Sequence, residues 1–149
     1  MKTYIIIVAD TGTLKAFHIT ERSLVHRKKA DLIKRVVYTN AHKKLGDLLS
    51  DTRGKFRGSG DAHSARHASG EAHHLASEFQ RKSFSALAHD IEGVISHTPA
   101  DEYYLALPQP IHKAVTEKIK KSIQSKITKQ LTEDLTKDTV EDIRKRFMV

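Results

Sequence analysis

The 149 residues predict one mixed α/β domain. Three observations carry that expectation. Short β-branched runs crowd the chain up to Tyr38, apolar residues fall at helical spacing after His73, and the later helical stretches alternate with short apolar runs. At 38% hydrophobic and without a low-complexity linker, residues 1–149 suit a single core.

Tyr4 to Ala9 is continuously apolar and β-branched, the pattern of a strand buried on both faces. Asp10-Thr11-Gly12-Thr13 supplies turn chemistry, and Leu14 to Ile19 returns as the second arm of a hairpin, extended by Leu24 and Val25. Leu32 to Tyr38 reads as a third strand, followed by a polar stretch from Thr39 to Ser50. From about His73, Leu75, Phe79, Leu87, Ile91 and Val94 or Ile95 form one helical face with Phe84 beside it, until His97-Thr98-Pro99 ends the helix. Glu102 to Leu107 is a short buried strand. Pro108 and Pro110 open a helix whose face is Ile111, Val115, Ile119 and Ile123. Ile127 to Leu135 is the last strand, and Asp138 with Glu141 forms a capping box for a final helix carrying Val140, Ile143 and Phe147. The order is β-β-β-α-β-α-β-α, the order of an RNase H-like mixed sheet, with each later unit long enough for a crossover.

Between the third strand and the first long helix lies Asp51 to His74, with four of the seven glycines, four of the ten histidines and the cations Arg53, Lys55, Arg57 and Arg66. It has no apolar periodicity. A long basic loop of this kind is kept for function, since packing alone favours a shorter connection. The net charge of +8 points the same way, to an anionic partner. The absence of cysteine excludes disulfides, thiol catalysis and cysteine-based zinc sites. The N-terminal apolar run is too short for a secretory signal, and no run nears the ~20 apolar residues of a membrane span, so a cytoplasmic location without membrane insertion is expected.

Several local features resemble the host attachment protein family, a bacterial release-factor-like group related to the central domain of archaeal and eukaryotic peptide-chain release factors. They are Val8-Ala9-Asp10, Arg53-Gly54-Lys55-Phe56 followed by Gly60 and Arg66-His67, Glu71 and Phe79 entering the helix, and Asp134-Leu135-Thr136 before the last helix. The resemblance implies a helix-covered sheet with a mobile functional loop, residues 51–74. In release factors that loop ends in a Gly-Gly-Gln tip that positions water against the ester of peptidyl-tRNA. Here the tip candidates are Gly58, Ser59, Gly60 and Asp61, the glutamine is missing, and aspartate adds negative charge beside an anionic tRNA end. Flanking decoding domains are absent too. Host-surface contact is implied by the family's name alone.

The residues themselves support RNA or ribosome and tRNA binding. Arg53, Lys55, Arg57, Arg66 and His67 can contact phosphates, glycines admit a close backbone, and the histidines can donate or stack. Phe56 can stack on a base or anchor the loop. The leading expectation is an RNA- or ribosome-binding domain, with hydrolysis at the tRNA end as its enzymatic version. The alternative is a noncatalytic interaction protein related to host attachment, a candidate homodimer. A further alternative is a metal-dependent nuclease or hydrolase using Asp10, Glu71 or Glu78, and Asp134 or Asp138. Against it, Asp10 falls in a turn and Asp138 at a cap. No metal or cofactor is expected: His63, His67, His73 and His74, with Asp61 or Glu71, fit no defined ligand motif. Asp10 to Lys15 is similar to the phosphate loop of actin-like ATPases, but no second copy exists. Lys118, Lys120, Lys121 and Lys126 oppose the isoleucine stripe and read as a solvated helix face.

Overall fold

Every residue from Tyr4 to Ala9 is buried, because β1 (Lys2–Ala9) is the middle strand of a sheet packed on both faces. The computed structural model describes residues 1–22, 27–39 and 65–149. Their mixed α/β architecture has five strands and four helices. β2 (Thr13–Arg22) and β3 (Arg27–Val37) continue antiparallel from β1, while β4 (Glu102–Ala106) and β5 (Ile127–Leu131) lie parallel to it on the other side. The strand order is β3-β2-β1-β4-β5.

Alternation along β1 divides the core. Ile5, Ile7 and Ala9 face Phe84, Leu87, Ile91 and Val94 of α1 (Ala65–His97), together with Val115 of α2 (Gln109–Thr116) and Ile123 of α3 (Lys121–Gln124). Tyr4, Ile6 and Val8 face Ile143 and Phe147 of α4 (Val140–Phe147). A period-2 strand thus feeds two apolar layers, and its continuous hydrophobicity follows.

Five boundaries differ from expectation. β3 begins at Arg27, not Leu32, because its lysines sit on a solvent-facing edge where polarity does not interrupt pairing. α1 begins at Ala65, so Arg66, His67, His73 and His74 belong to the helix rather than the loop; Ala65, Ala68 and Ala72 favour helix there, and Gly70 does not break it. The single helix expected over Ile111–Ile123 is two. Thr116 Oγ1 bonds back to the carbonyl of His112, the turn tightens through Lys118 N to Val115 O and Ile119 N to Thr116 O, and Gln124 Nε2 donates to the carbonyls of Thr116 and Ile119. β5 stops at Leu131, and Leu135 is buried instead under α4. The last helix is capped by Thr139, whose hydroxyl accepts from the backbone N–H of Asp142 and donates to its carboxylate at 2.8 Å. Asp138 lies one residue too early, its own N–H donating to Leu135 O.

Among the residues of α1 whose burial is described, from His74 onward, the first buried one is Phe84. Leu75 is 37% exposed and Phe79 half-buried, so the expected apolar stripe continues beyond the part of the helix that meets the sheet. No helix among the described residues is long and apolar enough to cross a membrane.

Candidate functional site

Parallel pairing brings the carboxyl ends of β1, β4 and β5 to one end of the sheet, where open α/β sheets commonly place their ligands. Asp10 and Thr136 meet there. The Asp10 carboxylate accepts from the backbone N–H groups of Gly12 at 2.7 Å and Thr13 at 2.6 Å through Oδ1, which closes the hairpin turn. Its Oδ2 is 3.2 Å from the Thr136 hydroxyl. That hydroxyl also donates to Asp134 Oδ1 at 2.6 Å, and the same oxygen accepts from Thr136 N–H at 3.0 Å. Lys15 Nζ donates to the Thr136 carbonyl.

The two stretches singled out in the sequence, Val8-Ala9-Asp10 and Asp134-Leu135-Thr136, are therefore joined in space. Thr136 is 3% exposed and has one proton to share between two carboxylates. The arrangement fastens the end of β1 to the segment entering α4. Both carboxylate oxygens of Asp10, Asp134 Oδ1 and the Thr136 hydroxyl are engaged in bonds within the chain, as a structural latch requires.

Among the described residues, the other acids named for a nuclease make no side-chain hydrogen bond to this cluster. Glu78 is 4.0 Å from both Arg81 and Lys82 on the exposed surface of α1, and Asp138 lies at the approach to α4. Among the described residues no group of three or more His, Asp or Glu is placed to hold a metal ion. Arg53, Lys55, Arg57, Gly58, Ser59, Gly60, Asp61 and His63 fall outside the described residues, as do the side chains of Arg66, His67, Glu71 and His73. His74 is exposed, and its carbonyl accepts from Ser77 Oγ at 3.0 Å.

A second feature was not anticipated. Between edge strand β3 and α1 runs an open cleft of about 370 Å³, lined by Ile33, Lys34, Asp90, Gly93, Val94 and His97 among others. Asp90 organises one wall, accepting from Lys34 Nζ at 2.9 Å and the Tyr38 hydroxyl at 2.7 Å. Burial opposes the charged form of Asp90, yet the bonds from Tyr38 and Lys34 prevail and hold its carboxyl below the ordinary value. Burial, with Asp90 adding to it, raises the Tyr38 hydroxyl well above its usual range, so it stays a donor. His97 Nδ1 lies 2.8 Å from the Gly93 carbonyl, which can only accept, so that nitrogen carries the proton. The sequence signal for this cleft is an acid, Asp90, set between the buried Leu87-Ala88 and Ile91 of one helix.

No curated protein matches the chain. Residues 5–147, which include all of α1, β4, β5 and α4 and most of the β1–β3 sheet, match a family described as "Protein required for attachment to host cells". The chain belongs to that family.

Proposed function

We propose that the chain is a noncatalytic interaction protein that serves attachment to host cells through contacts with another protein. The family match across residues 5–147 carries this reading. The site geometry supports it. Asp10 and Asp134, which follow the carboxyl ends of β1 and β5, share the Thr136 hydroxyl, and Asp10 also closes a turn, so both serve the fold. Deleting the gene and restoring it should respectively lower and recover adherence to host cells, counted as bound cells per host cell. Adherence unchanged by the deletion overturns the reading.

A second reading, binding of RNA or of a ribosomal complex, has its own support. The order β3-β2-β1-β4-β5, with β1, β4 and β5 parallel, agrees with an RNase H-like sheet and hence with the release-factor-like relationship. Lys113, Lys118, Lys120, Lys121 and Lys126 are exposed on and around α2 and α3 and offer cations to an anionic partner. Titration of tRNA and ribosomes across a salt series separates the readings. Affinity that falls steeply with salt, and falls again in an Arg53, Arg57, Arg66 to alanine variant, belongs to RNA; indifference to both belongs to a protein contact.

A further inference from the structure

We infer that β3 and the cleft beside it form a docking groove for an extended, acidic segment of a partner protein, which adds to the sheet as a strand beside β3. This rests on the reading of the chain as an interaction protein and names the surface and the chemistry of what it binds.

Among the described residues β3 is the terminal strand of the sheet, and β2 is the strand it pairs with. It is 11 residues long. Every second N–H and C=O along its outer side therefore points away from the sheet, a template for another strand. The strand also displays large apolar side chains: Leu32 is 53% exposed, Ile33 41% and Val37 54%.

The register makes Ile33 special. Lys34 pairs with Ala16 and Leu32 with Phe17, leaving Ile33 as the extra residue of a bulge. Bulges re-aim side chains, and Ile33 lines the cleft against α1. A groove with an edge strand on one side and a helix on the other is the arrangement that peptide-binding domains use for strand addition. The strand supplies main-chain bonds, and the space beside the helix takes alternate side chains. Gly93 keeps that space open, since a Cβ built there would meet only Lys34 Nζ, at 4.0 Å.

Charge selects the occupant. Lys28, Lys29, Lys34 and Arg35 crowd the strand against one acid, Asp31. Lys28, Lys29 and Lys34 each reach a carboxylate of the chain, at 3.5, 3.0 and 2.9 Å, but Lys29 remains 77% exposed. Arg35 is exposed and makes no ion pair among the described residues. A second copy of β3 brought alongside would set like charges against each other, which disfavours self-pairing. A segment alternating Asp or Glu with apolar residues meets the cations with one and the Ile33–Val94 wall with the other.

The test pans the full chain against a displayed library of random twelve-residue peptides, then measures the enriched peptide, synthesised, by fluorescence polarisation. Wild type should enrich acidic peptides with alternating apolar residues, and the bound peptide should slow amide exchange between Leu32 and Val37. Gly93→Leu fills the cleft while replacing a helix-weakening residue, so it should keep or raise its melting temperature and lose affinity about tenfold or more. Gly93→Ala should bind like wild type, and Arg35→Glu should weaken binding. No enrichment, enrichment of basic peptides, or equal affinity in Gly93→Leu overturns the groove. So does a concentration-dependent dimer that Arg35→Glu alters, which gives the edge to a second copy. If restored adherence accompanies a failure to select peptides, the groove falls and the attachment reading stands. If peptides bind but the gene deletion leaves adherence unchanged, the attachment reading falls and the groove stands.

Discussion

Loss of Asp90 should be felt in stability, because it satisfies two donors at once. Its side chain is 24% exposed, and it ties Lys34 and Tyr38 of the β3 end to α1. Asp90→Ala leaves the half-buried Tyr38 hydroxyl without its acceptor, and should cost about 1–3 kcal/mol in denaturant unfolding. The pH dependence has a definite sign. Its folded pKa lies below the ordinary value, so the stability it contributes is present above the unfolded pKa, about 4, and is lost as pH falls through the lower folded value. Asp90→Asn should therefore flatten the acid limb of the stability curve. An acid limb as steep as that of wild type would show that Asp90 is not its source. The interaction joins positions 56 and 52 residues apart, which local patterns do not report. Asp10 was legible by contrast, because the turn it closes is built from its immediate neighbours Gly12 and Thr13.

At the scale of elements, α4 is short and depends on two features. Thr139 caps its first turn, and Phe147 stacks on Tyr104 at 5.3 Å between centroids, with Tyr104 in turn 5.9 Å from Tyr4. Thr139→Ala should cost about 1 kcal/mol, the usual loss of a cap. Phe147→Ala should cost about 3–5 kcal/mol, since it opens a cavity under the only described helix on that face and removes an aromatic stack. A loss at Phe147 no larger than that at Thr139 would show that α4 contributes little to the core. The strands and amphipathic helices were readable because burial leaves a period in the sequence, as Tyr4 to Ala9 and Leu87 to Ile95 show. The interruption between α2 and α3 was not, since neither Gly nor Pro marks it and Ile119 remains buried through the break. The helix begins one residue later than the sequence suggests: Asp138 and Thr139 are both competent caps, and Thr139 is the one whose hydroxyl accepts from the Asp142 N–H.

For the whole molecule, a net charge of +8 opposes compaction, and salt should reveal by how much. Ion pairs such as Lys29–Asp31, Lys113–Glu117 and Arg146–Glu133 lie on the surface, where each contributes little and is itself weakened by salt. The two effects have opposite signs. Raising ionic strength from ~0.01 to ~0.15 M shortens the screening length from ~30 to ~8 Å, which removes long-range repulsion more completely than contacts a few ångströms apart. The melting temperature should therefore rise over that range and level off beyond it. A fall would mean that the surface pairs outweigh the repulsion. The same screening acts on partners: an acidic segment held in the β3 groove retains its main-chain bonds and apolar contacts in salt and should lose affinity gently. A polyanion held by phosphates alone should lose it steeply. A gentle slope accompanied by a rising melting temperature would assign the excess positive charge to solubility and steering, with the binding itself in the strand and the cleft.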